Sequence, residues 1–156
     1  MAHLCVTKIG PMPPVFCDEG CKVNAKKYIE MRPKDAIPNI LDIAGDLDTV
    51  TWQEDNATAH SAKAARTFTQ SKFKHIMAWP AQSPDLSPLD YSVNAYVKSE
   101  VRKQLPDIAQ PEDVRVAIKR TVRDMPMQFA RDTIDNFPKR LKECVAQGGG
   151  YIDHAM

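Results

Sequence analysis

Apolar residues follow two different rhythms along this 156-residue chain. In the first half they come in short runs. His3 to Ile9 and then Pro14-Val15-Phe16-Cys17 read as extended segments, separated by a turn at Pro11–Pro13. Asn24 to Ile29 begins a helical stretch that should stumble at Pro33 and Pro38. Thr49-Val50-Thr51-Trp52-Gln53 alternates and is rich in β-formers, and it ends at Glu54-Asp55-Asn56. Ser61, Ala64, Ala65 and Phe68 recur at helical spacing. Lys74 to Trp79 predicts another strand, with Ile76 and Ala78 on one face and His75, Met77 and Trp79 on the other. A proline-rich turn, Pro80 to Pro88, closes this half.

Beyond it the rhythm is helical. Ser87-Pro88 is a favourable helix start, and Val93, Val97 and Val101 recur every four residues behind it. Val114, Ile118 and Val122 mark a second helix. Ala130, Ile134, Phe137 and Leu141 mark a third, with an interruption expected at Pro138 and an end at Gly148-Gly149-Gly150. No repeat or low-complexity segment is present. The order predicts an α/β chain with a helical C-terminal end.

Composition adds boundaries. Hydrophobic residues make up 43% and charged residues 26%, which fits a folded chain of one domain. Lys+Arg number 21 against 20 Asp+Glu, so whole-chain charge makes no case for a nucleic-acid partner. No apolar run approaches the ~18 residues of a membrane span, and Met1 to Cys5 lacks a signal-peptide layout. The numbers point to a soluble, intracellular protein. Without a secretory signal, Cys5, Cys17, Cys21 and Cys144 read as reduced. Cys17 and Cys21 loosely suggest half a zinc site, but His3, His60, His75 and His154 are too scattered to complete it.

Two stretches carry candidate chemistry. Gln53-Glu54-Asp55-Asn56-Ala57-Thr58-Ala59-His60 places a carboxylate at a strand end with a helix behind it. Trp79-Pro80-Ala81-Gln82-Ser83-Pro84-Asp85-Leu86-Ser87-Pro88-Leu89-Asp90-Tyr91 places another at a helix start. The 34 residues between Asp55 and Asp90 suffice for a helix, a strand and a turn. Such a route can return both carboxylates to one edge of a sheet, where α/β sites are usually built. Carboxylates gathered there would bind magnesium and could support displacement at phosphate. Taken singly, each has an ordinary reading. Asp90 favours the positive end of a helix dipole, Asp55-Asn56 is a common strand-to-helix connection, and His60 is a surface or satisfied histidine.

These residues together resemble the catalytic domain of mariner/Tc-type DNA transposases, a branch of the ribonuclease-H-like DDE/DDD recombinases. The resemblance runs through Gln53-Glu54-Asp55-Asn56-Ala57, His60, Trp79 to Leu86 and Ser87-Pro88-Leu89-Asp90-Tyr91. It extends to Val15-Phe16 through Tyr28, with Gly20-Cys21-Lys22-Val23-Asn24 inside it, and to Asn136 to Leu141 and Gly148 to His154, so almost the whole chain is covered. It implies a ribonuclease-H-like mixed sheet flanked by helices. Asp55 would be the second and Asp90 the third metal-binding carboxylate, with Asn56 and His60 near the site and Asp85 organising the turn. Magnesium, with manganese as substitute, would be the cofactor, and DNA at transposon ends and target the partner. A homodimer or a full-length transposase is a further implied partner. No membrane is implied, and the location would be the nucleus.

The sequence also departs from that pattern. The family's first carboxylate lies on the first, central strand. Val15-Phe16-Cys17-Asp18-Glu19 imitates its motif, but only 36 residues separate Asp18 from Asp55, too few for the elements that should intervene. Residues 1–156 therefore read as a partial catalytic domain beginning inside the second strand, without the helix-turn-helix region that finds inverted repeats. A mid-sheet gap would leave unpaired backbone edges, so that the fragment either folds poorly or repairs the sheet by another pairing. Asn94 stands where relatives usually carry Trp, which suggests relaxed selection or a lost core contact. Arg115, Lys119 and Arg123, with Arg120 beside them, form a basic helix stripe. From Lys98 onward Lys/Arg number 11 against 9 Asp/Glu, so the stripe is a weak candidate for DNA contact. The alternative to a cleaving and joining enzyme is an inactive remnant, or a repurposed module binding DNA or a transposase.

Overall fold

The computed structural model describes residues 2–17, 20–31 and 36–152. Asp18, Pro33 and His154 lie outside these. The chain divides into two compact units, one spanning residues 17–82 and the other combining residues 2–16 with the chain from Ser83 onward.

In the first unit, Asn24 starts helix α1 (Ala25–Met31) by accepting the Lys27 N–H on its side-chain oxygen at 2.9 Å. Helix α2 (Ile37–Ala44) carries Pro38 in its first turn. Pro38 thus begins a helix instead of breaking one, since the N–H it lacks would have had no partner there. A single 3₁₀ turn, Leu47–Thr49, takes the front of the β run expected from Thr49, and the strand β5 is only Thr51–Trp52. The Asp46 carboxylate accepts the Asp48 N–H at 3.0 Å and holds that turn. Two helices follow, α3 (Thr58–Ser61) and α4 (Lys63–Lys72), broken at Ala62, whose ψ of 139° is extended. Strand β6 (His75–Ile76) pairs in parallel with β5, joining Thr51 to His75 and Trp52 to Ile76. The strand expected over Lys74–Trp79 is shorter, and both of its paired residues are exposed. Tyr28, Trp52, Ala65, Thr69 and Phe73 are buried, and the Trp52 and Phe73 rings stack at 4.6 Å.

In the second unit, β1 (Ala2–His3) pairs antiparallel with β4 (Val15–Phe16), and β2 (Val6–Thr7) with β3 (Gly10–Pro11). The extended run expected from His3 to Ile9 is therefore two short strands. The Thr7 hydroxyl donates to the Gly10 carbonyl at 2.8 Å, and Gly10 takes a φ of 133° that favours glycine. Prolines 11, 13 and 14 have no N–H for a longer ladder. Parallel and antiparallel pairs are both present, as a mixed sheet requires, and among the described residues they form three separate two-stranded ladders.

A helix runs from Pro88 to Gln104. Its first part, Leu89–Val93, is a π-helical turn in which the Asn94 N–H reaches the Leu89 carbonyl, and its remainder is α5 (Asn94–Gln104). Helix α6 (Pro111–Arg123) opens with the Asp113 carboxylate accepting the Gln110 N–H at 3.2 Å. Helix α7 (Met127–Ala146) runs unbroken through Pro138. Proline there removes one backbone bond and costs about 3 kcal/mol. Its ring is exposed, and the 20-residue helix is held by packing at Ala130, Thr133 and Arg140. Gly148 and Gly149 end α7 at φ 66° and 87°. The Gly149 N–H bonds the Cys144 carbonyl and the Gly148 N–H the Val145 carbonyl, which satisfies the last turn.

The core of this unit is Val93, Val97, Val122, Met125 and Ala130, with Ile118, Val101, Tyr96 and Phe129 around it. Each of its buried Val and Met side chains contributes about 1.5–3 kcal/mol. Leu141, expected on the core face of α7, is exposed, and its neighbour Arg140 is buried instead. No helix among the described residues is long and apolar enough to cross a membrane.

Candidate functional site

Asp55 lies in the loop between β5 and α3. Its Oδ1 accepts the Ala57 N–H at 3.0 Å, an Asx turn, and faces His60 Nδ1 at 2.6 Å. The Asp55 side chain is 52% exposed and that of His60 only 17%. His60 is flanked by the Tyr28 ring, stacked at 4.2 Å between centroids. Tyr28 donates its hydroxyl to Glu54 Oε2 at 2.5 Å, and Trp52 Nε1–H donates to the same oxygen at 3.0 Å. Asn56 turns the other way and donates to the Trp79 carbonyl at 2.9 Å, tying this loop to the segment after β6.

Asp90 lies in the first turn of the second unit's long helix, where the Ser87 carbonyl accepts the Asp90 and Tyr91 N–H groups. Among the described residues its carboxylate caps no backbone N–H. Its Oδ1 accepts from Asn94 Nδ2 at 3.2 Å. Asn94 is exposed, so polarity at this position empties no core contact. The turn behind Asp90 is held by a buried polar network. The Asp85 side chain is buried and its Oδ2 accepts the Ile152 N–H at 3.0 Å, in keeping with a turn-organising role. Arg140 Nε–H donates to the Asp85 carbonyl at 2.6 Å, and its guanidinium covers the Tyr91 ring at 4.6 Å. Tyr91 donates its hydroxyl to the Thr133 carbonyl at 2.6 Å. Burial pushes the Tyr91 phenol up to about 12, against a smaller downward pull from Arg140. A groove of about 760 Å³ opens beside Asp90, Tyr91 and Ser92, with Thr133, Asn136 and Lys139 of α7 on its far wall.

Asp55 and Asp90 offer the hard oxygen donors that magnesium and manganese take, and among the described residues the second carboxylate oxygen of each makes no hydrogen bond. Each fits as one ligand. Among the described residues no group of three or more His, Cys, Asp or Glu side chains is arranged to hold a metal. Of the cysteines, Cys17 is buried with its sulfur 3.7 Å from that of Met31, and the others are half-buried.

The basic stripe on α6 is partly neutralised. Arg123 makes two bonds to Asp124, at 2.8 and 3.2 Å, and Arg120 stands 3.8 Å from the same carboxylate. The bond to Asp124 raises the Arg123 pKa, and Arg123 lowers that of Asp124. Arg115 is 4.0 Å from Glu112, and Arg115 and Lys119 both lie 5.6 Å from the centre of the Phe16 ring.

Sequence reasoning missed Tyr28, Glu54, Tyr91 and Arg140 as supports. Tyr28 was within reach, four residues after the helix-capping Asn24. Arg140 was obscured because helical spacing from Thr133 and Phe137 admits position 140 as readily as 141.

No protein-family model matches the chain. It is 28% identical over 102 residues to the Tc1 transposase of Caenorhabditis elegans, which covers 64% of this chain and 35% of that protein. It is 29% identical over 104 residues to the Mos1 mariner transposase of Drosophila mauritiana, covering 67% of this chain and 30% of that protein. The chain thus spans about a third of the length of these named relatives. Among solved structures, a Mos1 paired-end complex with the left transposon end superimposes with a TM-score of 0.83 at 25% identity, covering 97% of this chain and 45% of the other. The Mos1 catalytic domain bound to raltegravir and Mn gives 0.82 at 24% identity, covering 97% and 78%. The fold is the ribonuclease-H-like fold of that catalytic domain. In sequence the chain is similar to the Tc1 and Mos1 transposases, and its fold is that of the Mos1 catalytic domain.

Proposed function

We propose that this chain forms part of a catalytic domain for metal-dependent DNA cleavage and joining, with Asp55 and Asp90 as two of its metal-ligating carboxylates. The reading is carried by the coincidence of fold and residue placement. The match to the Mos1 catalytic domain extends over 97% of the chain, and Asp55 follows a strand while Asp90 opens a helix, each with an oxygen left open. The substrate would be DNA, as in the paired-end complex of Mos1, and the place of action the nucleus. Pairing with a second copy or with a full-length transposase belongs to the same reading.

A bound divalent metal supplies Lewis-acid activation of the attacking oxygen and stabilisation of the leaving oxygen. The chain's own residues prepare for it. His60 and the Ala57 N–H hold one oxygen of Asp55, Asn56 fixes the loop, and Asn94 steadies Asp90. Two carboxylates hold a two-metal centre poorly, and the family pattern asks for a third. The 156-residue chain alone is therefore expected not to nick supercoiled plasmid with magnesium or manganese above an Asp55→Asn, Asp90→Asn control. Robust nicking that the control abolishes would show that the chain completes its own site. The alternative reading is a non-catalytic module that binds DNA or a transposase. It predicts retention of DNA by the double Asn variant.

A further inference from the structure

We propose that Tyr28 is a positioning residue for Asp55, acting through the His60 ring; this rests on reading Asp55 as a metal ligand. Asp55 is half-exposed on a loop, where a carboxylate would otherwise sample several rotamers. Its orientation comes from His60, whose Nδ1 stands 2.6 Å from Asp55 Oδ1. The four-residue helix that carries His60 has no side-chain cap and gives that imidazole little support by itself. Support comes from Tyr28, which is 2% exposed and stacks its ring on His60 at 4.2 Å with 29° between planes. Tyr28 is held in turn at both ends. Its N–H bonds the carbonyl of Asn24, the residue that caps α1, and its hydroxyl bonds Glu54 Oε2, an oxygen that Trp52 also engages. Neither Tyr28 nor Glu54 needs to touch a metal. Together they fix the ring plane that points His60 Nδ1 at Asp55 and leave Asp55 Oδ2 for the ion. Groups that orient a ligand in this way commonly change metal affinity by about 10–100-fold when removed.

A residue that only fills the core would lower stability without acting through His60, and this separates the two roles. The test uses the 156-residue chain with Mn²⁺ alone, free Mn²⁺ being read by its electron paramagnetic resonance signal. Tyr28→Leu is expected to weaken Mn²⁺ binding about 10-fold, and Tyr28→Phe, which keeps the ring, only about 3-fold. In a His60→Ala background Tyr28→Leu should add nothing, since both changes break the same chain of contacts. An equal loss with and without His60, or no loss, overturns the proposal. Should Tyr28→Leu lose the native circular dichroism spectrum, Tyr28→Phe and Glu54→Gln carry the test, each expected near 3-fold; unchanged affinity in both overturns it. Asp55→Asn separates this proposal from the reading beneath it. If Asp55→Asn binds Mn²⁺ as the native chain does, the metal reading fails. The metal-free ¹⁵N signal of His60 Nδ1 then decides whether Tyr28 orients the pair. A shift shared by Tyr28→Leu and Asp55→Asn supports the positioning role, and an unmoved signal in Tyr28→Leu overturns it.

Discussion

Replacing Arg140 with methionine should destabilise the helical unit by about 2 kcal/mol, the difference between two larger effects. The guanidinium is 5% exposed. Its Nε–H bond to the Asp85 carbonyl is short, at 2.6 Å, and a hydrogen bond from a charged donor contributes about 1.5–3 kcal/mol. Its position 4.6 Å above the Tyr91 ring, away from water, contributes about 2 kcal/mol more. Against these stands Nη2, which is buried and, among the described residues, has no hydrogen-bond partner. That omission costs about 1–3 kcal/mol, and methionine removes it while filling much of the same volume. Losing about 4 and regaining about 2 gives the expected net change. Arg140→Ala, which also opens a cavity, should cost roughly 1–2 kcal/mol beyond that. Urea unfolding followed by helical circular dichroism measures both, and an unchanged m-value would confirm that the unfolded state is not the cause. A methionine variant as stable as the native chain would refute the argument. It would place Arg140 among buried charges whose desolvation outweighs their bonds.

Tyr91 sets a pH limit on the same network. Its phenol titrates near 12 in the folded chain against about 10 unfolded, so its contribution is whole below pH ~10 and is lost as pH rises towards 12. Tyr91→Phe should lose the Thr133 bond, about 1 kcal/mol at neutral pH, and show a shallower alkaline decline in chemical denaturation. Gly149→Ala should cost about 1 kcal/mol at the end of α7, because φ is 87° and an added Cβ meets open space, leaving conformation as the sole penalty; thermal melts would check it. On α6, Lys119→Ala should weaken DNA retention and reduce the salt slope by about one. Arg123→Ala should leave the slope nearly unchanged, because Asp124 already occupies that guanidinium. Filter binding across a salt series distinguishes them, and equal slopes for the two variants would sink the distinction.

The sequence carried the helical half well because Val93 and Val97 on one helix, and Ile118 and Val122 on the next, each recur at four-residue helical spacing, and the structure packs all four into one core. It carried the strand half poorly, since two-residue strands give periodicity too little length to register. The two proline errors have different causes. Pro38 sits where the missing N–H has no partner to lose, and Pro138 sits on an exposed face where tertiary packing outweighs the lost bond. Asp55 and Asp90 were singled out by a joint motif, and the groups that hold them were not. Tyr28 meets His60 and Arg140 meets Asp85 across 31 and 54 intervening residues, and no local pattern encodes such encounters.

The π-helical turn at Leu89–Val93 makes the start of the Asp90 helix tolerant of a change in residue number. An α-helix advances about 100° per residue, and a π turn absorbs one extra residue without breaking the helix. Deleting any single residue there would restore ordinary α-helical bonding and leave Val97 and Val101 in place. The segment ahead of the deletion, with Asp85 and Pro88, would keep its place as well, because the residue lost is the one the π turn had absorbed. The same loss within α5 would turn everything ahead of it by about 100° around the axis. A frame-preserving loss of one codon that spared Asp90 would thus be less disruptive in this turn than further along the helix. Alignment gaps among relatives should fall in this turn or in the proline-rich stretch before it, and not in α5.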